Sequence, residues 1–184
     1  MNLAIIPARG GSKRIPDKNS KFFAGKPLIA YSIEAAIESA EFSKIIVSTD
    51  SQEVADIAIS FGAEVPFLRA ESLSGDYIGT GPVTKHAIEY CIQHFFEPIF
   101  CCCIYATAPF LSGTFLKQGI QSLIEQKNKD FAFSVTSFPF PVQRALIKSG
   151  EGVMPLYPEY IPKRSQDLEE AYHDAGKFYW GRKS

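Results

Sequence analysis

Short apolar runs alternate along the chain with longer stretches in which apolar residues recur every three or four positions. This alternation constrains the fold more than any other feature, because the two patterns bury their surfaces in different ways. Residues 3–8, 44–49, 63–68, 99–106, 130–138 and 177–180 have the length and composition of strands. Between them, Ile29, Ile33, Ala36 and Ala40 share one face of a helix predicted after Pro27. Val54, Ile57, Ala58 and Phe61 do the same in a helix that Asp50-x-x-Glu53 opens as a capping box and Gly62 ends. A third helix begins at Pro82 and buries Ala87, Ile88 and Cys91, with His86 and His94 as structural residues on it. A fourth covers about 112–126 and packs Leu116, Ile120, Leu123 and Ile124. Strands alternating with such helices require an α/β fold with a mostly parallel sheet covered on both faces. Ligands of such sheets bind off the carboxyl ends of the strands. The loops after Ala8, Leu68 and Ala106 are therefore where chemistry is expected.

Beyond Pro139 the pattern changes. Pro139, Pro141, Pro155, Pro158 and Pro162 interrupt any regular period, which suits hairpins and a small covering lobe. The expectation is a single domain over 1–184: a core at 1–138, a lobe at 139–176 and a last strand at 177–184. With 46% hydrophobic residues in 184, the chain can bury a sizeable core. A net charge of −1 excludes a chain-wide basic field that would draw it to nucleic acid or anionic lipid. Cys91 and the consecutive Cys101, Cys102 and Cys103 match no paired metal spacing and read as small core residues of a reducing compartment. No apolar run approaches the roughly 20 residues that span a bilayer, so a soluble cytoplasmic protein is expected.

Charge is placed rather than abundant. The stretch PARGGSKRIPDKN at 7–19 leads from the first strand into Arg9, Lys13, Arg14 and Lys18, with Gly10 and Gly11 between. Main-chain amides brought close at glycines, a planar guanidinium and flexible ammonium groups are what a polyphosphate needs. A solvated loop that merely aids solubility is the competing account. The stretch is not a Walker loop, for no Gly-Lys-Ser/Thr follows at the required spacing. Gly79-Thr80-Gly81 fails the dinucleotide fingerprint, since Thr84 stands at the third glycine.

PARGGSKRIPDKN, followed by GKPL at 25–28 and IIVSTDS at 45–51, resembles the opening of the sugar-activating nucleotidyltransferases of the CMP-sialic acid synthetase group. The loop 69–76 and YATAPF at 105–110 extend the likeness over at least the first 140 residues. Within the group, YATAP in place of Gln-Pro-Thr-Ser-Pro, FPFPVQRAL at 138–146 and EAYHDAGKFYWG at 170–181 look like the pseudaminic acid cytidylyltransferases. The resemblance implies a three-layer Rossmann-like nucleotidyltransferase fold with a small irregular covering and dimerisation lobe.

It also implies roles. Arg9 and Lys18 would contact the CTP phosphates as the catalytic cations, while Ala8, Gly10, Gly11, Ser12, Lys13 and Asn19 would hold the nucleotide. Arg69 would approach the cytidine side, although Ala70 follows it where relatives carry proline. Asp76 reads either as a carboxylate near substrate or as a turn residue, and Asp50 equally as a helix cap or as a residue of the site. Tyr105, Thr107, Gln143, Arg144 and Asp174 would face the sugar, with Arg144 forming a bidentate pair to its carboxylate unless it is a plain rim arginine. His173 and Asp174 sit in a turn before the last strand and lack the nucleophile of a triad.

The implied reaction is attack of the anomeric hydroxyl of an acidic keto sugar on the α-phosphorus of CTP, with Mg²⁺ on the phosphates and a homodimer as the assembly. The resemblance places an Ile-Asp-x-Asp pair that helps hold the metal beyond the last strand. The sequence reaches Ser184 without one, and its metal ligands are therefore unassigned. Sialic acid, legionaminic acid and Kdo are alternative sugars. A nucleotide-binding protein without turnover, or a phosphate-binding module of a larger assembly, is the alternative of another class.

Overall fold

The computed structural model describes residues 1–12 and 15–182. Its strands are β1 (Asn2–Pro7), β2 (Phe22–Phe23), β3 (Lys26–Pro27), β4 (Lys44–Ser48), β5 (Phe100–Ile104), β6 (Phe131–Ser137), β7 (Leu146–Ser149), β8 (Gly152–Pro155) and β9 (Tyr172–Arg182). The helices are α1 (Leu28–Ser39), α2 (Gln52–Ser60), α3 (Thr80–His94) and α4 (Gly113–Glu125). Two compact units result: one comprises Met1–Ser134 with the chain from Gly176 on, the other Val135–Ala175.

The first unit is built on a sheet of order β4-β1-β5-β9-β6. β4 and β5 flank β1 in parallel, and β9 runs antiparallel to β5. From Leu3 to Ile6, β1 is apolar without interruption because it is buried on both faces. Ala4, Ile6 and Ala8 join Ile29 and Ile33 of α1, Val54 and Ala58 of α2, and Leu116 and Ile120 of α4 in one cluster. Leu3 and Ile5 join Ile46, Ala87 and Cys91, the last two from α3, in another. Three helices thus cover one face of the sheet and α3 the other, which is the expected α/β layering.

Four expectations are corrected. Residues 63–68 form no strand: Pro66 supplies no amide, and only the bridges Ile46–Glu64 and Thr49–Leu68 remain. Asp50 does not cap α2. Ser51 takes that place, its hydroxyl accepting from the Val54 amide at 3.4 Å. α3 starts at Thr80, leaving Pro82 inside its first turn, where a missing amide costs nothing. His173 and Asp174 belong to β9 rather than to a turn before it. The polar first half of that strand is exposed and lacked the apolar pattern by which strands are read.

In the second unit, β7 and β8 pair as an antiparallel hairpin. Phe138 donates its amide to the Ala171 carbonyl at 3.2 Å. The boundaries 135–175 compare with 139–176 read from the prolines.

All four cysteines are free. Burial raises the thiol pKa of each; for Cys101 it reaches about 12, with Cys91 adding to the rise, and for Cys103 a bond from Thr84 opposes it. Only thiolates react readily with disulfide reagents. The native protein at pH 8 is therefore expected to resist Ellman's reagent, while the unfolded chain titrates four thiols at once. Because denatured thiols ionise near pH 9 and the folded ones do not, stability falls as pH rises above 9. Rapid labelling of a folded sample would contradict this.

Candidate active site

β1 carries the chain to the carboxyl edge of the sheet, and its ladder is prolonged by one bond from the Ala8 amide to the Ser48 carbonyl at 2.9 Å. The chain then leaves the sheet at Arg9. A tight turn follows, with the Ser12 amide donating to the Gly10 carbonyl at 2.9 Å. Farther along, the Asp17 carbonyl accepts from the Ser20 and Lys21 amides at 3.1 and 2.8 Å. The buried Asn19 ties the two ends of the loop together. Its Nδ2 donates to the Arg9 carbonyl at 2.8 Å, and its own carbonyl accepts from the Ile29 amide at 3.1 Å. Lys18, half-buried, is next to this clamp on the chain.

A pocket of about 280 Å³ opens at this edge of the first unit. Arg9, Ser12, Lys18 and Asn19 line it from the loop after β1, Arg69 and Ser74 from the segment before α3, and Tyr105 and Thr107 from the loop after β5. All three loops singled out by the strand order contribute. The fourth wall was not read from the sequence. Ile78, Gly79, Thr80 and Val83 bring the start of α3 to the pocket, and its N-cap position, Gly79, has no side-chain cap. Such an end carries partial positive charge and free amides, which favour an anion. Thr80 followed by Pro82 was the available signal, obscured by placing the helix start at the proline.

Arg69 is the most constrained cation. Its amide donates to the Thr49 carbonyl at 2.7 Å, which carries its side chain inward to 3% exposure. There Nε lies 3.3 Å from the Ser74 hydroxyl, and Nη2 lies 3.8 Å from Asp50 Oδ1. Burial lowers its pKa, the nearby Asp50 raises it, and Arg9 lowers it again. An arginine remains protonated even so. It is a buried charge with a long ion pair, facing a pocket. Arg9 is more open and pairs with Asp76 at 2.8 Å.

Not all of the other predicted residues reach the pocket. Ala8 lies buried in the core cluster. The Gly10 amide is already given to Asp50 Oδ1 at 2.8 Å, so it is not a free donor of the cradle. A Cβ on Gly10 would stand 2.8 Å from Ser51 Cβ, so close packing explains that glycine, whereas Gly11 faces open space. Lys13, with Arg14, lies outside the described residues. Tyr105 is braced by its amide to the Lys177 carbonyl at 2.9 Å and by Ser32 Oγ to its own carbonyl at 2.8 Å. Its ring lies 5.3 Å from that of Tyr179. Gln143, Arg144 and Asp174 belong to the second unit. There Gln143 Nε2 donates to the Glu169 carbonyl at 2.9 Å, and Arg144 donates to the carbonyls of Ile161 and Lys163. Among the described residues no three His, Cys, Asp or Glu side chains gather to hold a metal ion.

Comparison with known proteins narrows the chemistry. The family model described as Cytidylyltransferase matches residues 3–147. The pseudaminic acid cytidylyltransferase of Campylobacter jejuni subsp. jejuni serotype O:23/36 (strain 81-176) is 46% identical over 98% of this chain and 78% of its own length. CMP-N,N'-diacetyllegionaminic acid synthase of Legionella pneumophila is 57% identical, over 40% of this chain and 32% of its own. In fold, the chain resembles CMP:2-keto-3-deoxy-manno-octonic acid synthetase, solved in complex with CTP. The TM-score is 0.71 at 18% identity, covering 98% of this chain and 73% of that one. With its layered sheet, cation-lined pocket and near full-length match, this chain belongs to the cytidylyltransferase family.

Proposed function

We propose that the chain activates a nine-carbon acidic keto sugar of the pseudaminic acid type with CTP, giving the CMP-sugar and pyrophosphate. The observation that carries this reading is the convergence of Arg9, Lys18 and Arg69 on one pocket at the carboxyl edge of the sheet. The anomeric hydroxyl oxygen of the sugar bonds to the α-phosphorus as the bond from that phosphorus to the oxygen bridging to the β-phosphate breaks; pyrophosphate departs with that oxygen, and the hydroxyl's proton passes to solvent. Negative charge grows on the departing pyrophosphate, and cations fixed beforehand stabilise it without reorganising. Lys18 and Arg9 are assigned that task. To take it up, Arg9 exchanges one oxygen of Asp76 for phosphate oxygens. Tyr105 and Thr107 are assigned to the sugar from the pocket wall.

Magnesium accompanies a triphosphate by binding its oxygens. The described residues supply no cluster for it, so the steps above rest on the chain's own cations. The reading includes a cytoplasmic homodimer joined through the second unit, where Phe140 is strongly exposed. No helix among the described residues is long and apolar enough to cross a membrane.

Pyrophosphate release with each of the four nucleoside triphosphates, against pseudaminic, legionaminic and sialic acids and Kdo, tests the reading. CTP with pseudaminic acid is expected to give the highest kcat/KM. A preference for legionaminic acid would move the chain to that branch. Release from none of these pairs, with CTP still bound, would make it a nucleotide-binding protein without turnover.

A further inference from the structure

Asp50 does not line the pocket, yet its carboxylate joins two of the pocket's walls. We infer that Asp50 is a positioning residue for the nucleotide: Oδ1 holds the Gly10 amide, and with it the Arg9 end of the first loop, beside the buried Arg69 guanidinium. The inference rests on the cytidylyltransferase reading. Its position just before a helix suggests a cap, but Ser51 performs that function with its own hydroxyl, which leaves the Asp50 carboxylate free for tertiary contacts. Those contacts are specific. The bond from Gly10 is 2.8 Å long, and the absence of a Cβ on Gly10 lets the loop press against Ser51.

Arg69 gives the arrangement its electrostatic meaning. Besides the neutral Ser74 hydroxyl, its guanidinium faces Asp50, and the charge of Arg9 opposes its own. Two cations that repel each other must be held close if both are to meet one polyanion. Asp50 offsets that repulsion on the Arg69 side, as Asp76 does for Arg9. A carboxylate that accepts from a loop amide and faces a guanidinium couples loop position to charge position. Remove it, and the loop loses its anchor just as Arg69 loses its counter-charge.

The test compares Asp50→Ala, Asp50→Asn and Ser51→Ala in the whole chain, by steady-state kinetics with CTP and sugar varied in turn, CTP calorimetry and melting. Asp50→Ala is expected to raise the KM and Kd for CTP by about tenfold, with the sugar KM held within about twofold. Asp50→Asn keeps an oxygen for Gly10 but no charge for Arg69, and a rise of roughly fourfold is expected. Ser51→Ala should lower the melting temperature and leave the CTP Kd alone. A CTP Kd unchanged in Asp50→Ala overturns the inference, as does a Ser51→Ala shift equal to that of Asp50→Ala. If Asp50→Ala does not fold, an unchanged Kd in Asp50→Asn has the same force. Should the parent protein bind CTP yet release no pyrophosphate, the reaction assigned above falls, while the Kd series still decides the role of Asp50. If the parent binds no CTP, both fall.

Discussion

Replacing Lys18 by alanine is expected to lower kcat/KM for pyrophosphate release by about 10²–10³-fold, the loss of roughly 3–4 kcal/mol of transition-state stabilisation. Lys18 lines the pocket, and its neighbour Asn19 is buried and bonded to the Arg9 carbonyl, so both cations belong to one braced loop. A charge fixed before the reaction helps most where charge grows during it. In phosphoryl transfer that place is the leaving group. The loss should therefore fall mainly on kcat, because on the proposed assignment CTP in its ground state would still meet Arg9 and Arg69. Lys18→Arg preserves the charge on a planar, longer head, and partial activity is expected from it. The fold should be indifferent to both changes, with melting temperature as the check, since no core contact depends on this side chain. A kcat for Lys18→Ala within about threefold of the parent would remove Lys18 from the chemistry.

The loop containing Lys18 was legible because its signals are local. Glycines, cations and an Asn lie within thirteen consecutive residues, and the strand before them is continuously apolar. β1, β4 and β5 were legible for a related reason: strands buried on both faces need no alternation, and Leu3, Ile5, Ala4 and Ile6 divide between two clusters. What escaped depends on contacts between distant segments. Asp50 fits a capping pattern as well as it fits a tertiary anchor, and nothing local reveals that Gly10 lies 2.8 Å away. The pairing of Arg9 with Asp76 spans two loops far apart in sequence. The start of α3 was hidden by a proline that helices tolerate in their first turn, and the polar half of β9 by its exposure to water.

Trp180→Ala is expected to cost about 3–5 kcal/mol of stability, a fall in melting temperature of roughly 10 °C for a chain of this size. Trp180 is fully buried on β9, opposite Cys102 of β5, and its ring stacks on Phe42 at 4.9 Å with 9° between the planes. The indole Nε1 donates to the Leu116 carbonyl of α4 at 3.0 Å. Gly119 lies beneath it, where a Cβ would come within 2.8 Å of both Trp180 and Phe178. The side chain thus fills a space that α4 has shaped by omitting a methyl group, and truncation leaves a cavity that a helix braced against α1 and the sheet cannot close. Trp180→Phe separates the parts. It keeps most of the buried ring and loses the indole bond to Leu116, so about 1–2 kcal/mol is expected. Because Trp180 does not line the pocket, Trp180→Ala assayed well below its melting temperature should keep its KM for CTP. Denaturant titration followed by circular dichroism measures the stability term. A loss below about 1 kcal/mol would mean that α4 collapses onto β9, and would contradict the rigid packing argued for this layer.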